Sequence, residues 1–199
     1  MADFNLTAWG YEVEGPVPLI VPPDVFEDVT GGRWTGDMRT DAALASASAT
    51  VRNACGWHIG PNLACRATLD VDRPTKSLWL PARNVTDVTS VKVDGAEVTG
   101  YQWSRLGQIV MPSVVPCGLR KVVVEYRAGL CTHDMAALVA GLASRSLALS
   151  MRPGVTSESA GGVSVSVAAG VAAASPAPYL TDVERAQLAP HKVVRAHAT

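Results

Sequence analysis

The hydrophobic positions of this chain change period along its length, and the changes mark its elements. Between Asp41 and Cys55, Leu44, Ala47, Val51 and Ala54 fall on one helical face. Asp41 stands where an N-cap would sit, and Gly56 where a helix would stop. From Leu78 to Leu130 the period falls to two. Val91 and Val93 alternate with Lys92 and Asp94, and Val122, Val124 and Tyr126 alternate with Val123, Glu125 and Arg127. Cys65–Val71, Leu78–Leu80 and Ile109–Met111 read as further short strands. Asp94-Gly95 reads as a two-residue hairpin turn, with Val98, Tyr101 and Trp103 on its return side. Helical spacing comes back over about His133–Ser150, with Thr132 as the expected N-cap. Met135, Leu138, Val139, Leu142 and Leu149 make its apolar stripe, and Ala137, Gly141, Ser144 and Ala148 form a row of small residues beside it. A last helix is expected over Leu180–Leu188. There Thr181 and Glu184 match a capping box, and Pro190 supplies the stop.

Two stretches are less regular. Residues 1–36 contain Pro16, Pro18, Pro22 and Pro23, which favour an extended arm with one helical turn at Asp24–Val29. Phe4, Trp9, Tyr11 and Leu19 are too apolar for a solvated tail, so the arm is expected to dock, across a neighbouring subunit. In residues 155–178, Val163, Val165 and Val167 alternate with Ser164 and Ser166. That segment reads either as a surface loop or as an assembly loop that adds a strand to a neighbour. Lacking cores of their own, both stretches are expected to order on assembly and to be cut early by proteases in the free subunit.

The resulting fold class is α+β: a small helical bundle with an inserted antiparallel β subdomain and extended N- and C-terminal arms. The organisation is an N-terminal arm (1–36), a first core helix (37–57), the inserted β subdomain (58–130), and a helical part (131–199). The last part holds the assembly loop (155–178), the final helix and a short basic tail.

Composition narrows the function. Of the 199 residues, 48% are hydrophobic, enough for a core, while the net charge of −1 gives no nucleic-acid-gripping surface. No apolar run approaches the roughly 18 residues needed to span a bilayer. The acidic N-terminus lacks the positive region of a signal peptide, so synthesis and folding in a cytoplasm are expected. Four widely spaced cysteines make a poor disulfide framework and read as buried thiols.

Candidate chemistry is sparse. Cys55 with His58, and Cys131 with His133, could supply four soft metal ligands, but their spacing is not that of a usual zinc site. Cys131 and His133 lie two apart and do not face each other as a nucleophile pair would. No phosphate-binding loop or nucleophile elbow is present. The chain is therefore read as a non-enzyme with no catalytic, metal or cofactor-binding residues and no cofactor. Trp79, Tyr101 and Trp103 leave one alternative, a ligand- or carbohydrate-binding virion module using the aromatic β insert.

The order of elements carries a resemblance. A small helix precedes a β insert of the form LWLP…VKVDG…VVVEYRAGL; HDMAALVAGLASRSL, TSESAGGVSVSV and LTDVERAQLAPHKVV follow. This resembles the phage head–tail connector (head-to-tail adaptor) proteins, in the variety that carries a β insertion. The closing L-T-x-x-E-R-x-x-L pattern and the junction from Tyr126 to Asp134 are its most specific parts, and it covers roughly residues 40–195. The resemblance implies a structural subunit of a tailed-phage neck, present in the virion and assembled in the host cytoplasm. Its homo-oligomeric ring, usually dodecameric, sits below the portal protein and joins capsid to tail through stopper, tail-tube or tail-terminator proteins. Genomic DNA passes through the lumen without specific binding, and no membrane is involved. Helices 41–55 and 133–150 would form the ring wall, with Thr181–Ala198 towards the portal. The subunit and portal interface implied comprises Ala137, Gly141, Ser144, Val163, Val165, Val167, Leu180, Glu184, Arg185, Leu188, Lys192 and Arg195. The chain departs from the family in its long N-terminal arm and in the Ala- and Pro-rich stretch 168–178.

Overall fold

A computed structural model describes residues 3–150, 157–160, 163–166 and 178–193. The chain folds as an α+β protein. Its elements are β1 (Phe4–Leu6), β2 (Glu12–Glu14), α1 (Pro23–Thr30), α2 (Thr40–Cys55), β3 (Leu63–Val71), β4 (Thr75–Trp79), β5 (Val85–Val93), β6 (Ala96–Glu97), β7 (Gln102–Trp103), β8 (Gln108–Val115), β9 (Gly118–Ala128), α3 (Thr132–Ser150), β10 (Ser157–Ala160), β11 (Val163–Ser166) and α4 (Asp182–Leu188), which runs into a 3-10 turn at Ala189–His191.

Every strand pair is antiparallel. A six-stranded sheet has the order β1-β2-β3-β9-β5-β6, and a three-stranded sheet the order β4-β8-β7. The Asp94-Gly95 turn forms as expected, with φ of 50° and 81° closing Val93 onto Ala96. Its return strand ends at Glu97, earlier than the alternation suggests. The chain then turns at Gly100 and enters the smaller sheet as β7.

On the inner face of the large sheet, alternation buries Cys65 and Ala67 of β3 and Val122, Val124, Tyr126 and Ala128 of β9. Register shifts bring Val71 of β3 and Val85, Val88 and Val91 of β5, three residues apart, into the same core. They join the buried residues of α2 and α3 in one hydrophobic cluster. The strand-to-helix junction after β9 depends on Gly129. Its φ is 140°, and a Cβ there would lie 2.3 Å from the Pro61 carbonyl oxygen, inside contact distance.

The N-terminal segment differs most from its sequence reading. Residues 4–34 are seated on the rest of the same chain, not laid away from it. β2 pairs with β3, through Glu12↔Arg66 and Val13↔Cys65. Tyr11, Val13, Ile20, Val21, Phe26 and Trp34 are buried in the common core. The prolines break this stretch into short pieces, but its large side chains find a core made by the rest of the chain. The expected early proteolysis of residues 1–36 is corrected accordingly. Most of the expected assembly loop, Val167 included, and Arg195 of the tail lie outside the described residues.

Candidate functional site: the α3–α4 surface and the chain ends

α4 is built as its sequence dictates. The Glu184 backbone N–H donates to the Thr181 Oγ1 at 3.3 Å, and the Thr181 N–H donates to the Glu184 carboxylate at 2.7 Å. The same carboxylate accepts a hydrogen bond from Arg145 of α3 at 2.5 Å, which fastens the two helices together. Burial opposes ionisation more than any one partner favours it, but the Thr181 cap and the Arg145 guanidinium together outweigh it and hold the Glu184 pKa below the ordinary value. Arg145 also lies over the Tyr179 ring, 4.9 Å from its centroid.

Between α3 and α4 runs an open groove lined by Asp134, Met135, Ala137, Leu138, Gly141, Glu184 and Gln187. Ala137 and Gly141 are exposed, and a Cβ built on Gly141 would meet nothing within 4 Å. Ser144, from the same row, is engaged within the chain, because its Oγ accepts from Trp34 Nε1 at 3.2 Å. Leu180 and Leu188 are buried in the core, so their side chains anchor α4 and do not face outwards. Arg185 is exposed, and its Nε donates back to the Leu180 carbonyl. Lys192 is exposed. Val163 and Val165 lie on β11, paired with Ala160 and Glu158 of β10.

Beyond α4, residues 189–193 form a strap held by its own backbone. Trp57 Nε1 donates to the His191 carbonyl at 2.7 Å, and the Val193 N–H donates to the Cys55 carbonyl at 3.0 Å. One guanidinium nitrogen of Arg83 donates to the carbonyls of Pro190 and Lys192, both at 2.9 Å. Nothing in the patterning pointed to Arg83 or Trp57, since backbone acceptors leave no signature in sequence.

The opposite end of the chain is fixed by a buried polar cluster that sequence reading also missed. His58 Nε2 lies 2.9 Å from the Ala128 carbonyl, which can only accept, so Nε2 carries the proton. Nδ1 then accepts from the Tyr11 hydroxyl at 2.7 Å, and that hydroxyl accepts the His58 N–H at 3.0 Å. Burial disfavours imidazolium here and pushes the His58 pKa down to about 4, with the nearby Arg52 charge adding to the effect. Arg52 is itself buried and donates to the carbonyls of Pro18, His58 and Gly60. Desolvation brings its pKa down to about 10. Three carbonyls in place of a carboxylate satisfy the guanidinium and tie the N-terminal segment to the end of α2.

The metal-ligand pairs are not brought together. His58 has both ring nitrogens committed, and Cys55 is buried with its pKa raised to about 11 by desolvation. Cys131 and His133 are exposed, with Sγ and Nδ1 3.9 Å apart. Among the described residues no group of three or more His, Cys, Asp or Glu is arranged to hold a metal ion. The aromatic residues do not form one platform either. Trp79 pairs with Gln108, whereas Trp103 pairs with its neighbour Ile109, so the two indoles belong to opposite faces of the small sheet. Tyr101 is turned back and donates to the Val88 carbonyl.

The arrangement is that of an α+β protein with an open surface groove and with residues 4–34 and 189–193 held on its core. No family model and no curated protein matches the chain. Its fold is similar to that of a chain in a solved structure described as the neck of an empty GTA particle computed with C6 symmetry. The TM-score is 0.54 at 15% sequence identity, over 99% of this chain and 98% of that one.

Proposed function

We propose that this chain is a structural subunit of the neck of a tailed-phage or phage-like particle, acting as a head-to-tail adaptor. One observation carries the reading: the fold corresponds end to end with that of a neck chain, a subunit from a phage-like gene transfer agent particle. The element order read from sequence supports it independently. In this reading the helices form a small bundle that builds the ring wall, with the β region carried on it as an insertion. The ring joins the portal protein to a stopper or tail component, and DNA passes through its lumen. Sixfold averaging of the neighbour suits a ring of six, and equally one of twelve, in which the sixfold is a subgroup of the full symmetry. We take the dodecamer that the connector resemblance implies.

The interface in this reading uses Ala137 and Gly141 on the α3 groove, the β10–β11 hairpin, and the exposed Arg185 and Lys192. Imaging of the assembled particle tests it. A ring of this chain between portal and tail is the expected result; a particle with the chain elsewhere, or a stable monomer that ignores its portal in native mass spectrometry, overturns it.

A further inference from the structure

Charge is unevenly spread along the chain. Residues 1–32 hold six carboxylates and no lysine or arginine, although the whole chain is nearly neutral. Glu14, Asp24, Glu27 and Asp28 are exposed. Among the described residues, none of these four is in an ion pair.

Three cations lie where the C-terminal strap crosses the start of β5. Arg83 grips the Lys192 carbonyl, and the Val85 N–H donates to the Arg105 carbonyl at 3.0 Å. Arg105 reaches Asn84 Oδ1 at 3.4 Å. Arg83, Arg105 and Lys192 therefore form one patch, in which Arg105 and Lys192 are exposed and Arg83 is half-buried. Among the described residues no carboxylate lies within ion-pair distance of any of the three.

The two surfaces attach to α2 at different points. The patch borders Cys55, the last residue of α2, through the Val193–Cys55 bond. The segment leading into α1 is held two turns earlier, where the Ile20 N–H donates to Ser48 Oγ at 3.2 Å. A contact that closes a ring joins two different surfaces of one chain, and complementary charge fixes its register and rejects wrong pairings. We propose that the Arg83–Arg105–Lys192 patch docks the acidic N-terminal surface, around Glu14 and α1, of the adjacent copy. This rests on the ring reading above and adds to it which surfaces meet.

Paired charge reversals test the contact. One variant carries Arg105→Glu and Lys192→Glu; the other carries Glu27→Lys and Asp28→Lys. All four positions are exposed, so the fold should survive, and circular dichroism melting of each variant checks this. Arg83 is left intact because it holds the strap. Rings are counted by electron microscopy after co-expression with the portal protein of the same particle. Each variant alone should lose at least about tenfold in ring yield. The two variants expressed together should restore it, because alternating copies again face opposite charges at every contact. Rings from each variant alone, at wild-type yield, overturn the proposal and leave the ring reading intact. Loss without rescue in the mixture also overturns it, and assigns the patch to another partner such as DNA phosphate or an acidic protein. Absence of rings from the wild-type chain overturns the ring reading itself.

Discussion

The two ends of this chain look alike in sequence and are held in different ways. Both are short of regular pattern, and both carry prolines that prevent long helices. The N-terminal end contributes large apolar side chains to the common core, Tyr11, Ile20 and Phe26 among them. It also adds two strands to the main sheet. The C-terminal end contributes Leu180 and Leu188, one capped helix of seven residues, and a strap gripped through backbone atoms. A segment without a core of its own can thus be an obligatory part of a shared core or an attachment to it. The first should unfold with the whole domain; the second should open on its own.

The largest expected effect is at the N-terminal end. Phe26→Ala removes a fully buried ring and should cost about 3–5 kcal/mol of global stability, read by denaturant unfolding. A variant that keeps its global midpoint and loses only local protection in residues 4–34 would break the comparison.

The pH dependence comes next. His58 is neutral in the fold with a pKa near 4, against 6.5 for an unperturbed histidine. Between those values the unfolded chain binds the extra proton and the folded chain does not, so stability falls as pH drops from about 6.5 towards 4. The loss is on the order of 3 kcal/mol across that window. His58→Gln should flatten this part of the stability–pH curve even though it lowers the whole curve. An unchanged slope would show that the acid sensitivity lies in carboxylates elsewhere. Tyr11→Phe is a smaller change at the same place. It leaves the His58 N–H without its acceptor and Nδ1 without its donor, and should cost about 1–3 kcal/mol of global stability in the same unfolding assay.

How far sequence carried the fold follows from which forces leave a periodic trace. α2, α3, β3, β8 and β9 were readable because one face of each is apolar at its own period. α4 was readable because Thr181 and Glu184 spell the cap in side chains. β1 and β2 were not readable, since three residues cannot show alternation, and their pairing is decided by Tyr11 and Val13 finding a core built by distant residues. The candidate surface fared unevenly for the same reason. Helical spacing marks Ala137, Gly141 and Ser144 as one row, but not that Trp34 covers Ser144 and leaves Gly141 open. Leu180 and Leu188 were placed at an interface by the connector resemblance, whereas their apolar side chains are buried in the core. Helical spacing does not single out Arg52, because the carbonyls that receive it belong to the loop after α2 and to the N-terminal segment, which no helical wheel contains.

The smallest effect separates the two ends most sharply. Thr181→Ala removes the hydroxyl that accepts the Glu184 N–H and donates to the Glu184 carboxylate, while the residue-181 backbone N–H and Arg145 still hold that carboxylate. An N-cap of this kind is worth about 1 kcal/mol, or roughly fivefold in an equilibrium constant. If α4 and the strap open independently of the core, hydrogen exchange in residues 182–193 should speed up by about that factor, while β3, β9 and α3 exchange as before. Global unfolding should hardly move, because the core is complete without the cap. Arg83→Ala should act in the same direction on residues 189–193, through the two carbonyls it releases. A Thr181→Ala variant whose global stability falls as far as that of Tyr11→Phe would mean that the C-terminal end is as deeply built into the cooperative unit as the N-terminal one. The strap would then be part of the core's closure, and the basic patch on it would be as rigidly placed as the sheet itself.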